Sequence, residues 1–185
     1  MTTRRSSKTE RGFTLIELMI TVAIIGVLAV LAVVGYSRWT RSAKTAEATA
    51  IVGSVKGQQD TYRAETLRYL DCTNGGKTLA TTYPAGPPTD QKQTFDLNAC
   101  GGNLVCASFR KLAISTNSQV YYVYSCEAGS ADGANVVGFN GRVYGVANDV
   151  WNIVRAKGDL NNDGKQSNFE SSSFDSSIWS VNSDE

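Results

Sequence analysis

Histidine is absent from the 185 residues, and proline (3), methionine (2) and cysteine (4) are scarce. Without imidazole there is no Ser-His-Asp or Cys-His dyad and no histidine-ligated zinc, iron or copper. A general base would have to be a carboxylate, a lysine or a tyrosine. Charge of one sign is missing as well: 18 Lys and Arg face 17 Asp and Glu, a formal balance of +1. A phosphate-binding surface needs a basic excess, so no nucleic-acid partner is expected. Gly76-Lys77-Thr78 ends like a phosphate-binding loop, but the place of its first glycine is taken by Asp71 and no apolar strand precedes it. These absences point away from an enzyme.

Apolar residues, by contrast, are concentrated in one place. From Phe13 to Val34 the chain holds 22 residues with a single ionisable group, Glu17. As a helix, that run covers roughly 33 Å at about 1.5 Å per residue, enough for a hydrocarbon core about 30 Å thick. A buried core helix of this length would show a polar face, and none is visible. The preceding residues 1–12 carry Arg4, Arg5, Lys8 and Arg11 against Glu10. Basic residues before a first span stay in the cytoplasm, which puts the chain from about Tyr36 onward on the far side. Arg38, Arg41 and Lys44, just past the span, partly oppose that bias. A cleaved secretory signal needs a shorter apolar core and a small-x-small site after it; Gly35-Tyr36-Ser37 is only a loose match.

The basic leader, then Arg11-Gly12-Phe13-Thr14-Leu15-Ile16-Glu17-Leu18, then an unbroken apolar helix, resembles the N-terminus of type IV pilins and of type II secretion pseudopilins. The resemblance covers about Lys8 to Ala50. It implies that a membrane prepilin peptidase cuts between Gly12 and Phe13, that the new amine is methylated, and that the apolar helix stays in the mature subunit. It also implies partners: other pilins in a homo- or hetero-oligomeric filament, and an inner-membrane assembly platform. The location implied is the bacterial inner membrane before assembly, and a periplasmic or extracellular filament afterwards. One departure stands out. The family's proline late in the apolar helix is replaced here by Val34, followed by Gly35, so a kink or melted segment is less firmly specified.

Glu17 needs its own physical account. A charged side chain within a span costs a few kcal/mol even on lenient insertion scales. After cleavage the chain would begin with a cationic amine on Phe13, and a neighbour displaced by about one turn could set that amine against Glu17. The pair would offset part of each group's desolvation and act as a registration device. Snorkelling of Glu17 to the headgroups is the plainer alternative.

Beyond the span, Ala48, Ile51 or Val52, Val55, Gln59, Tyr62, Thr66 and Tyr69 recur at helical spacing, which predicts an amphipathic continuation over 36–70. Turn residues from Asp71 to Gly76 end it. A loop-rich connection follows over 71–108. Phe109–Ser115 and Gln119–Ser125 are expected to form a hairpin about Asn117-Ser118, and Asn135–Phe139 and Arg142–Ala147 a second about Asn140-Gly141. Trp151–Arg155 is a further strand, and Ser171–Glu185 a surface tail tucked down by Phe174, Ile178 and Trp179. The expected fold class is α+β, a long N-terminal helix packed on a C-terminal antiparallel sheet. Its parts are a leader (1–12), a span (13–35), the helical continuation (36–70) and a β-rich head (71–185).

All four cysteines, Cys72, Cys100, Cys106 and Cys126, fall in that head. An even number in an exported domain points to disulfides, and the lack of any C-x-x-C argues against a zinc ribbon or a thioredoxin-like site. Three pairings are open; the favoured one joins Cys100 to Cys106 and Cys72 to Cys126.

Finally, the run Asp159–Glu170 places Asp159, Asn161, Asp163, Ser167 and Glu170 at positions 1, 3, 5, 9 and 12 of a twelve-residue loop, with Gly164 at 6 and the Lys165 carbonyl at 7. That is the ligand order of an EF-hand calcium loop, so a structural Ca2+ is expected. The entering segment is strand-like, however, and an acidic turn without metal is the simpler alternative. The expected function is a structural pilin subunit, major or minor. The alternatives are a pseudopilin driving protein export and a membrane-anchored calcium-dependent binding module.

Overall fold

The computed structural model describes residues 12–73, 81–114, 116, 119–138 and 141–183. The leader up to Arg11, the Gly76-Lys77-Thr78 tripeptide, Asn117-Ser118 and Asn140 lie outside the described residues. Helix α1 (Leu15–Thr66) runs through two compact units, residues 1–39 and 40–185. In the first unit every side chain of α1 is exposed, from Leu15 (75%) to Trp39 (70%).

The second unit is α+β. Its elements in chain order are the remainder of α1, β1 (Gln93–Thr94), α2 (Leu104–Lys111), β2 (Gln119–Val120), β3 (Val123–Gly129), β4 (Asn135–Val137), β5 (Val143–Val146), β6 (Trp151–Gly158), β7 (Ser167–Ser172) and β8 (Trp179–Val181). One antiparallel sheet has the order β3-β6-β7-β8, and two small sheets pair β1 with β2 and β4 with β5. The helix packs on this framework through Ala48, Ile51, Val52 and Val55, which meet Phe95, Phe109, Tyr122, Tyr124, Val154, Ala156 and Phe169 in the main core. Strand β6 is buried on both faces. Val154 and Ala156 join the helix-side core, while Trp151 and Ile153 join a second core with Val136 and Ala147 under the β4–β5 pair. That alternation is the period of two expected along a strand.

Several expected elements differ. Phe109–Ser115 is not a strand: α2 extends to Lys111 and Ser115 lies outside the described residues. Val105, Phe109 and Leu112, all buried, recur at helical rather than alternating spacing. The Asn103 side chain caps the helix by accepting the Cys106 N–H at 3.0 Å. At the other end Ala113 takes φ 52°. Ile114 N–H then donates to the Phe109 carbonyl and Ala113 N–H to that of Arg110, a Schellman ending. The Gln119–Ser125 run is divided between two sheets, because Tyr121 N–H turns away to donate to Glu47 Oε1 at 2.8 Å. The tail expected from Ser171 onward holds the end of β7, a fully buried strand, and all of β8. Helix α1 ends at Thr66 rather than at residue 70, with Leu67 at φ 60°.

Candidate functional site

The N-terminal segment is built by helix chemistry. Gly12, Phe13 and Thr14 precede the first helical residue, Leu15, and Phe13 is 83% exposed. The first N–H groups of a helix lack intrahelical acceptors, and here Thr14 and Glu17 supply what is missing. Glu17 Oε2 accepts the Thr14 backbone N–H at 2.9 Å and the Thr14 hydroxyl at 2.8 Å. Thr14 Oγ1 in turn accepts the Glu17 N–H at 3.3 Å. This is a capping box, Thr-x-x-Glu, in which the two residues satisfy each other's backbone donors. It also holds a negative charge at the positive end of the helix dipole. Both Thr14 bonds go to Oε2; Oε1 makes no hydrogen bond among the described residues. Thr14 was not singled out from the sequence, although a Thr three residues before a Glu at the head of an apolar run is the signal for it.

Among the described residues α1 is the one helix long and apolar enough to cross a membrane, and none of its apolar window is buried. A core helix of a water-exposed protein would instead be covered. Length and exposure together fit insertion in a bilayer.

The cysteines are brought together in two pairs, Cys72 with Cys126 (Cα–Cα 5.2 Å) and Cys100 with Cys106 (5.4 Å). The first ties the chain leaving α1 to β3. The second spans the first turn of α2. A second tether lies beside the first. Gln59, fully buried on α1, donates to the Leu70 carbonyl at 2.8 Å and accepts the Leu70 N–H at 2.9 Å.

The six expected metal ligands divide into two groups. Asp159, Asn161, Asp163 and Lys165 are drawn together in the connection between β6 and β7. There Gly164 N–H donates to Asp159 Oδ2 (3.0 Å), Asp163 N–H to Asn161 Oδ1 (3.1 Å) and Lys165 N–H to Asp163 Oδ1 (2.8 Å). Gly164 adopts φ +86° in this turn, a conformation glycine enters without penalty. Asp159 is only 5% exposed, and its buried Oδ1 has no hydrogen-bond partner. Ser167 and Glu170 do not join the loop. The Ser167 hydroxyl lies on the helix side of β7, donating to the Tyr122 hydroxyl at 3.2 Å. Glu170 projects from the opposite face, where it accepts the Tyr144 hydroxyl and stands across from Arg155 in the β6–β7 register. The reason is strand alternation: residues three apart on β7 point to opposite faces, so the twelve-position order does not close. Burial, then the bond to Glu170, raises the Tyr144 hydroxyl pKa well above its ordinary value. Among the described residues no three of His, Cys, Asp and Glu converge as a metal-holding group; the loop set relies on two acids, an amide and a carbonyl.

Comparison with known proteins adds the following. Residues 7–33 match the family model described as the prokaryotic N-terminal methylation motif. The type IV pilus subunit protein TapA of Aeromonas hydrophila is 44% identical over 68 residues, 37% of this chain and 48% of that protein. The type IV major pilin protein PilA of Myxococcus xanthus is 39% identical over 74 residues, 40% of this chain and 34% of that one. A type IV major pilin protein of Neisseria gonorrhoeae is 37% identical over 86 residues, 46% of this chain and 48% of its own length. The chain thus spans about half or less of the curated relatives it matches. No solved structure matches it.

Proposed function

We propose that this chain, whose N-terminal segment is the methylation motif it shares with type IV pilins, is a structural subunit of a type IV pilus-like filament and not an enzyme. In this reading the leader 1–12 lies in the cytoplasm and residues 13–35 cross the inner membrane. Prepilin peptidase cuts after Gly12, and an inner-membrane assembly platform extracts the subunit into the filament. The observation that carries it is the wholly exposed apolar half of α1, opened by the Thr14–Glu17 box directly after Gly12-Phe13. An apolar surface of that extent must be covered by lipid or by other subunits, and a filament of like helices exchanges one cover for the other. Cleavage frees an amine at Phe13. Glu17, held by Thr14 through Oε2, keeps Oε1 to pair with the amine of a neighbour in the filament.

The test is to shear surface filaments from cells and look for the mature chain in them. Recovery in the filaments, lost when Glu17 is replaced, supports the reading. A chain that stays in the membrane, and whose deletion blocks protein export, supports the pseudopilin alternative instead.

A second reading concerns the head. The buried, unpartnered Asp159 Oδ1, next to Asn161, Asp163 and the Lys165 carbonyl, fits the hard oxygens calcium prefers. Bound there, the ion would fix the connection between β6 and β7, with water completing its shell in place of Ser167 and Glu170. Chelation should lower the melting temperature of a fragment beginning near residue 40. An unchanged melt in calcium and in chelator would refute it.

A further inference from the structure

The far end of the apolar run carries a feature that the pairing of Glu17 with an amine does not involve. Tyr36 and Trp39 are 68% and 70% exposed. Their rings lie 6.3 Å apart and tilted by 37°, side by side on one stretch of α1. Arg38, also exposed, sits between them in sequence. Ser37, the remaining polar residue of the group, satisfies its hydroxyl internally on the Val33 carbonyl at 3.0 Å. Large aromatics with a polar edge, left uncovered where an apolar helix ends, are the residues that settle at the headgroup level of a bilayer. An arginine beside them buries its stem and keeps its guanidinium among phosphates.

Spacing along the helix gives the group a consequence at the other end. Tyr36 follows Phe13 by 23 residues and Glu17 by 19, distances of about 34 and 28 Å at 1.5 Å per residue. The hydrocarbon core is about 30 Å thick. With Tyr36 and Trp39 at one interface, Glu17 therefore falls at the boundary of the other, and Phe13 falls among its headgroups.

We infer that Tyr36, Arg38 and Trp39 form a collar that binds the phosphate and glycerol-ester zone of the phospholipid leaflet opposite Phe13, and so sets the depth of the helix. The collar is the depth stop of the stored subunit. It holds the Thr14–Glu17 box at the membrane surface, where the carboxylate keeps contact with water and the Gly12–Phe13 bond stays outside the hydrocarbon. Substituting the collar would let the helix slide or tilt, as a span does when its anchors are removed. The inference rests on membrane insertion, and its test separates the two.

The full chain is reconstituted into phosphatidylcholine–phosphatidylglycerol vesicles whose acyl chains are brominated either near the carbonyl end or near the methyl end. Flotation reports insertion, and quenching of tryptophan emission reports depth. Trp39→Leu serves as the blank that subtracts Trp151 and Trp179. The collar predicts that the Trp39 signal is quenched more strongly by bromines near the carbonyl end, and that Tyr36→Leu shifts the quenching toward the methyl end. Protein that floats but shows equal, deeper or no Trp39 quenching overturns the collar and leaves insertion standing. Protein that does not float overturns both.

Discussion

Replacing Gln59 by methionine, which keeps the length of the side chain and removes its amide, should destabilise the head by about 2–4 kcal/mol. Gln59 is fully buried on α1. Its amide makes a two-way clamp on Leu70, donating to the carbonyl at 2.8 Å and accepting the N–H at 2.9 Å. The substitution strands one backbone donor and one acceptor, each costing about 1–3 kcal/mol when left unpaired. Leu70 is only half-buried, so water recovers part of that cost, and the lower half of the summed range is expected. For a domain of ordinary stability, about 5–15 kcal/mol, this is a large share. The assay is urea unfolding of a fragment beginning near residue 40, disulfides intact, with midpoints compared at equal slopes. Amide exchange at Leu70 should accelerate in the variant. A methionine variant within about 0.5 kcal/mol of the parent, the size of an ordinary surface change, would show that the clamp does not hold the end of α1.

Other consequences follow from the same packing. Cys72→Ser with Cys126→Ser opens a loop of sequence separation 54 and should cost about 4 kcal/mol, against about 2 for Cys100→Ser with Cys106→Ser at separation 6; unfolding curves in the reverse order would contradict the loop-length argument. Burial raises the Glu47 pKa above 4.5, against the lowering effect of the Tyr121 N–H and of Lys92. The folded state therefore binds that proton more tightly than the unfolded one, and stability falls as pH rises from the ordinary carboxylate value through the raised one. Glu47→Gln, which can still accept the Tyr121 N–H, should flatten that slope and be more stable near neutrality; an unchanged pH profile would sink the point. Glu17→Ala should still be processed but lose to the parent subunit when both are expressed together, measured as their ratio in sheared filaments. Equal incorporation counts against pairing.

How much of this was visible in the sequence depends on where periodicity meets burial. The stripe Ala48, Val52, Val55 and Gln59 was legible because α1 is amphipathic there, and all four are buried. The β4–β5 pair was legible from its alternation and its turn residues, with Gly141 at φ +76°. Helix α2 was not. Phe109 to Ile114 is a short run with no more than a turn and a half of helical period to read, and the Asn103 cap that decides the matter lies six residues earlier. Strand β7 escaped because Ser167–Ser172 is polar except for Phe169. Its burial depends on partners distant in sequence, Tyr122 on one face and Tyr144 and Arg155 on the other. The same blindness made Glu170 look like the ligand at position 12: loop spacing cannot tell which face of a strand a residue will take. At the N-terminus the sequence exposed Glu17 as an anomaly, but its partner Thr14 emerged only once the helix start was fixed at Leu15.

The central claim is that Gly12 and Phe13 mark a processing site in front of an apolar helix that is kept. Intact-mass and N-terminal fragment spectra of the protein purified from its native membrane test this most directly. The account predicts a mature chain beginning at Phe13 with a methylated amine and α1 whole; a chain still beginning at Met1, or one cut beyond Val34, would contradict it.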